Sequence, residues 1–187
     1  MNNTFYFLRH EITKIDSTIP VSKWQLSKIG EENAKKIAQQ DFFDYVDFIF
    51  SSTEEKAYQT AKPIADKLGG KIIQLREISE LDRDKGGFMQ FEDFERTLKQ
   101  SLEHLNESAN KWEIATHALE RFSKKVDELD KQYENKKILI VGHGITINLY
   151  FAKLLDVLDN VYERLSTNNY GDWGTIKDKK VIKDISK

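Results

Sequence analysis

"KILIVGHGITINLYFAKLL", residues 137–155, is the stretch whose reading decides the fold. After Lys137 come four apolar residues, Ile138 to Val141, too few for a helix and rich in β-branched side chains. An unbroken run of this kind predicts a central strand covered on both faces. From Gly144 the chain is apolar on most sides, which predicts a well-buried helix. Between the two stands Gly142-His143-Gly144, a histidine in a tight strand-to-helix turn.

Three other runs have the same character. "TFYFL" (4–8) leads into a loop, after which Leu26, Ile29, Ala34, Ile37 and Ala38 recur at roughly helical spacing. "YVDFIF" (45–50) precedes a helix whose apolar stripe is Ala57, Ala61, Ile64, Ala65 and Leu68, with Ser52 and Glu55 spaced as a capping box and Gly69-Gly70 as its stop. "KIIQL" (71–75) is the third run. Between the third and fourth, Phe91, Phe94, Leu98, Leu102 and Leu105 suggest one helix. Trp112, Ala115, Leu119, Phe122, Val126, Leu129 and Tyr133 suggest a longer one. "DWGTI" and "KKVIKDI" near the end read as a closing hairpin. Alternating strands and helices predict an α/β fold, a three-layer α/β/α sandwich around a mostly parallel sheet. One domain over residues 1–187 is expected, with a helical insertion at about 86–135 between the third and fourth strands.

Composition narrows the function. A formal net charge of −2 offers no broad basic field for nucleic acid or an anionic membrane. The absence of cysteine excludes disulfides, thiolate metal sites and a cysteine nucleophile, and fits a reducing compartment. No apolar run approaches membrane-spanning length, and "FYFL" is too short for a secretory signal. The expectation is a cytoplasmic protein.

In doubly wound sheets, ligands gather beyond the carboxyl ends of the strands. Arg9 and His10 follow the first strand; Ser51, Ser52 and Lys56 follow the second; Glu77 and Glu80 follow the third; His143 follows the fourth. Cations beside the histidines would repel a divalent metal, but they suit a phosphate or carboxylate. Backbone N–H groups of the helix after His143 are expected to add to that anion pocket. Within it a histidine can act as a covalent nucleophile, with a carboxylic acid to protonate the departing oxygen. Phosphoryl transfer through a phosphohistidine uses all of these parts.

The chain resembles the histidine phosphatase superfamily, the phosphoglycerate-mutase-like proteins. "LRHEIT" is similar to that family's Arg-His-Gly-x-Thr motif and "LSKIG" (26–30) to its Leu-Ser/Thr-x-x-Gly helix start. "SSTEEKAYQTA" (51–61), "LREI" (75–78) and "VGHGITI" (141–147) are similar to its later motifs, in the same order. The resemblance implies that His10 is the nucleophile and that Arg9, Lys56, His143 and Thr13 hold the phosphoryl group. It implies Glu77 as proton donor, with Glu80 as the alternative in "EISELDRD". It implies no metal and no organic cofactor, and a small phosphorylated molecule as substrate.

Three residues depart from the pattern: Lys56 for arginine, Glu11 for the glycine beside the nucleophile, and Asp16 where many sugar-phosphate members have asparagine. A phosphatase of small phosphorylated molecules is therefore weighed against a phosphomutase, which the short chain disfavours. The other rival is a catalytically weak phospho-ligand binding or scaffold protein, motivated by Glu11 and Lys56. His104 and His117 lie off the apolar stripes and read as surface residues.

Overall fold

The computed structural model describes residues 2–186. Six strands form one sheet in the order β3-β2-β4-β1-β5-β6. β1 (Thr4–Arg9), β2 (Phe48–Ser52), β3 (Ile72–Leu75) and β4 (Lys137–Gly142) are parallel, and β5 (Trp173–Lys177) and β6 (Lys180–Lys183) add an antiparallel hairpin at one edge. β4 lies between β1 and β2, as its apolar run requires.

Side chains alternate across a strand, so β4 feeds two cores. Leu139 and Val141 meet Ala57, Ala61 and Ile64 of α2 (Glu55–Leu68) and Ile37 of α1 (Lys28–Ile37) on one face. Ile138 and Ile140 lie in the other core, built with α3 (Phe91–Glu103), α4 (Ala115–Gln132), α5 (Gly144–Leu155) and α6 (Val161–Ser166). Phe7 of β1 sits within 5.4 Å of Phe151 and 6.1 Å of Phe122, ring centre to ring centre. Each such buried ring contributes about 1.5–3 kcal/mol relative to exposure. The result is an α/β/α sandwich around a mostly parallel sheet, with α3 and α4 inserted between β3 and β4.

Local readings shift in several places. The second strand begins at Phe48, because residues 41–45 form a 3₁₀ turn that buries Phe43. Ile29 is 62% exposed; α1 instead buries Gly30, Ala34 and Ile37. Phe91 is 75% exposed at the first turn of α3. Leu105 and Trp112 lie between α3 and α4, although Trp112 is buried there. Apolar spacing continued through a turn that the backbone does not follow as helix. The capping box of α2 does not form: β2 runs through Ser52, the N-cap is Glu54, and no side chain caps the helix.

Candidate active site

β1 and β4 are neighbours, so their carboxyl ends bring Arg9, His10 and His143 together. The His10 backbone N–H donates to the Gly142 carbonyl at 2.9 Å, and the rings of His10 and His143 lie 5.1 Å apart. His10 is 7% exposed and His143 is fully buried. The Nδ1 atom of His10 is 2.8 Å from the Glu11 carbonyl oxygen. A carbonyl only accepts, so Nδ1 carries the proton and Nε2 is left with its lone pair. Burial, the neighbouring His143 and the Lys56 ammonium together hold His10 well below the ordinary histidine pKa.

Glu11 interferes less than its charge suggests. Its Oε2 accepts from the Ile12 N–H at 3.2 Å and from Asn33 Nδ2 at 3.3 Å. The carboxylate lies against Gly171, whose φ is +74° and where a Cβ would collide with Oε1. Glycine at 171 therefore makes room for the acid at 11, and the backbone carbonyl that fixes His10 is present whatever side chain stands there.

Arg9 Nη1 donates to both oxygens of Asn168, its backbone carbonyl and Oδ1. Its guanidinium lies 4.4 Å from the ring centre of Tyr170, which also stands 5.6 Å from His10. A Cβ on Gly144 would come within 3.0 Å of the guanidinium, so glycine at 144 leaves room for Arg9 to lie across the start of α5 without shifting. Ser52 Oγ is 2.7 Å from His143 Nε2 and accepts from the Glu54 N–H. In the tautomer where Ser52 donates to Nε2, the His143 proton sits on Nδ1, a buried donor with no hydrogen-bond partner among the described residues. Arg9 Nε is a second such donor.

Lys56 is 3% exposed and its ammonium is engaged: Nζ donates to Glu54 Oε2 at 2.5 Å and to the Val21 carbonyl at 2.9 Å. Glu54 is a buried acid at the centre of the group, with Oε1 accepting from the Glu80 N–H at 2.8 Å and lying 3.4 Å from His143 Nε2. The start of α5 has an internal partner as well. The Ile145 and Thr146 N–H groups donate to the Glu80 carboxylate at 3.1 and 3.0 Å. The pair of amides expected to cradle an anion thus caps onto Glu80. Glu77 lies in the wall of the cavity described below and pairs with Lys125 at 3.2 Å. A hydrogen bond from its own backbone, then the Lys125 ammonium, hold its carboxyl below the usual range. Thr13 bridges Leu26 through its backbone, and Asp16 closes a local turn onto Thr18. His104 and His117 are exposed.

A cavity of about 810 Å³ adjoins these groups, with Glu54, Lys56 and Glu80 at its catalytic end and Arg83 and Trp112 in its wall. Among the described residues no group of His, Asp and Glu has metal-binding geometry. No helix there is long and apolar enough to cross a membrane. Sequence alone places Ser52 at the strand end with a cap signature and no catalytic role, and it gives Glu54, Arg83, Asn168 and Tyr170 no place in the site. Arg83 stands among other charges, and Asn168 and Tyr170 lie in an aperiodic stretch without a motif.

The neutral histidines predict a pH dependence. The folded pKa of each lies below the unfolded value of about 6.5, so below that pH the unfolded chain binds more protons. Stability from both rings is present above about pH 6.5 and falls as the pH drops from there toward their folded pKa values. Urea unfolding at about pH 7 and about pH 5.5 should show this loss, and His143→Gln should reduce its slope. An equal slope in the variant would exclude His143.

The fold and the paired histidines at adjoining strand ends define a histidine phosphatase. The chain belongs to the histidine phosphatase superfamily (branch 1), whose family model matches residues 5–177. It is 25% identical over 156 residues to phosphoserine phosphatase 1 of Hydrogenobacter thermophilus, covering 74% of this chain and 71% of that protein. The structure of mycobacterial glucosyl-3-phosphoglycerate phosphatase superposes with a TM-score of 0.83 at 16% identity, covering 100% of both chains. A mutant phosphoserine phosphatase from Entamoeba histolytica, in complex with phosphoserine, superposes with a TM-score of 0.75 at 21% identity, covering 96% of each. The protein is a phosphomonoesterase of that superfamily.

Proposed function

We propose that this enzyme hydrolyses its phosphomonoester through a phosphohistidine on His10, without a metal, in the cytoplasm. The observation that carries the mechanism is the Nδ1 contact of His10 with the Glu11 carbonyl, which leaves Nε2 as an unprotonated nucleophile. Nε2 attacks phosphorus and the bond from phosphorus to the ester oxygen breaks. The leaving oxygen takes a proton from a carboxylic acid. Water then attacks phosphorus and gives a proton to that carboxylate, the bond from phosphorus to Nε2 breaks, and inorganic phosphate leaves. Arg9, Lys56 and His143 Nδ1 are the donors for the phosphoryl oxygens, where charge develops in transfer. Lys56 must exchange Glu54 for the substrate to take this role.

Glu80 is the better candidate for the proton donor. Both acids line the cavity, but Glu80 adjoins the His143 turn, whereas Glu77 is tied to Lys125. Glu80→Gln is expected to lower kcat for an ester with a poor leaving group by about 10²–10⁴-fold, and for an activated aryl ester by much less. Glu77→Gln should stay within about threefold of wild type. The reverse pattern would return the role to Glu77. The covalent step is tested by acid quench during turnover of a radiolabelled substrate. Acid-labile, base-stable label on His10 is the expected result, and active turnover without it would refute the intermediate.

The rival binding role rested on Glu11 and Lys56. The side chain of Glu11 lies among Ile12, Asn33 and Gly171, and Lys56 keeps a buried cation in the site. Both observations favour catalysis.

A further inference from the structure

Arg9 is the cation next to His10 in the chain, and its guanidinium is held from behind. Nη1 donates to the backbone carbonyl and to Oδ1 of Asn168, while Nε has no hydrogen-bond partner among the described residues. Holding Nη1 fixes the plane of the fork and leaves its Nε side for an anion. The Asn168 amide is buried and has further partners. Asn148 Nδ2 donates to the same Oδ1 at 3.0 Å and to the Gly144 carbonyl at 2.8 Å. Asn148 Oδ1 accepts from Ser186 Oγ at 2.7 Å, and Asn168 Nδ2 donates to the Ile185 carbonyl at 3.2 Å.

Each orientation in this relay is forced by the one before it. A guanidinium only donates, so Asn168 must turn its oxygen to Arg9. That oxygen meets Asn148 as an acceptor too, so Asn148 turns its nitrogen inward and its oxygen to Ser186. The Ser186 hydroxyl supplies the last proton, which it shares with the Arg164 carbonyl at 2.8 Å. Residues 184–186 follow β6 and are anchored on α6, where Arg164 takes both carboxylate oxygens of Asp184 at 2.6 and 3.0 Å. Asn148 is fully buried and Asn168 nearly so, so water does not compete for these bonds.

We propose that Asn148, Asn168 and Ser186 are positioning residues for Arg9, so that phosphoryl transfer depends on a segment, 184–186, whose residues do not line the cavity. The proposal rests on the reading above, in which Arg9 binds the phosphoryl oxygens, and adds what aims it. The relay sets the fork before substrate arrives, so the charge that develops in transfer meets a donor that needs no reorganisation.

Three variants test this. Ser186→Ala removes the last donor, and Ser186→Thr returns it. Asn148→Asp reverses the relay: its carboxylate still accepts from Ser186 but cannot donate to Asn168, whose amide must then turn its nitrogen inward, toward Arg9. On an aryl phosphate, kcat should fall about 3- to 10-fold in Ser186→Ala and about 10- to 100-fold in Asn148→Asp. Ser186→Thr should stay within about twofold of wild type. Vanadate, which takes the five-coordinate geometry of phosphoryl transfer, should lose affinity in step with kcat, and inorganic phosphate much less. In an Arg9→Ala background neither loss should recur, because the relay then has nothing to aim. A merely structural role would lower Tm and leave kcat of the folded enzyme and the vanadate-to-phosphate affinity ratio unchanged. Wild-type kcat in folded Ser186→Ala, or an equal loss in the Arg9→Ala background, overturns the proposal. Wild-type turnover in Arg9→Ala overturns the role of Arg9 and the relay with it. If Asn148→Asp does not fold, Ser186→Ala against Ser186→Thr decides by the same criteria. If wild type turns over no ester, the phosphatase reading fails separately, and vanadate affinity decides the relay. A loss in Ser186→Ala that Ser186→Thr repairs supports it, and equal affinities overturn it.

Discussion

Replacing His10 by alanine is expected to lower kcat/KM by on the order of 10⁴-fold or more, with the fold intact. Removing a covalent nucleophile removes the divided reaction path, and what survives is binding and electrostatic stabilisation of direct attack by water. Nothing else in the group is built to replace it. The His143 Nε2 atom already faces Ser52 Oγ at 2.7 Å, and its ring is fully buried. The fold should tolerate the change, because the main-chain bond from His10 to Gly142 remains and the ring is at the end of β1, outside the two apolar cores. Steady-state kinetics on an aryl phosphate, with circular dichroism as the check of folding, decides the matter. Turnover within about tenfold of wild type in a folded variant would remove His10 from the nucleophile's role.

Lys56 should matter twice, once for catalysis and once for stability. Its ammonium and the Glu54 carboxylate are both buried and 2.5 Å apart, so removing the cation alone strands an acid in the interior. Lys56→Met is expected to destabilise the fold by about 3–5 kcal/mol, the usual cost of breaking a buried pair from one side. It should also cost about 10²–10³-fold in kcat, the scale of losing one donor to the developing charge. The pair Lys56→Met with Glu54→Leu separates the two effects. Replacing both ions by apolar groups should restore most of the stability, because neither charge is then stranded. Activity should not return. Urea unfolding and aryl phosphate turnover on the same samples give both readings. A double variant that recovers turnover would show that Lys56 serves only to neutralise Glu54.

The layer architecture was legible because it depends on local periodicity. Ile138 to Val141 announced a strand with two covered faces, and the structure divides those four residues between two cores. Boundaries were less legible for the reason seen at Trp112: it keeps the apolar spacing of α4 but packs from the turn before it. Ser52 illustrates a different limit. Three residues before Glu55 it has the signature of a cap, yet strand pairing with Leu75 extends β2 through it and turns its hydroxyl to His143. The competing demands on one hydroxyl come from residues far apart in the chain. Glu11 looked like an intrusion into an anion pocket, and only its packing on Gly171, distant in sequence, shows where the side chain goes.

By itself the sequence determined that three parallel strand ends would carry Arg9, His10, Lys56 and His143 to one edge of a sheet. Strand runs and the residues that follow them are local properties, and the crevice rule of an α/β sheet does the rest. Tertiary structure alone decided which carboxylates meet them. It set Glu77 on Lys125, Glu80 on the start of α5, Glu54 on Lys56, and left Arg83 between two rings without an acceptor. Ion pairs and caps are contacts at a few ångströms between segments that the chain order does not align. Which acid faces which cation is therefore settled by packing.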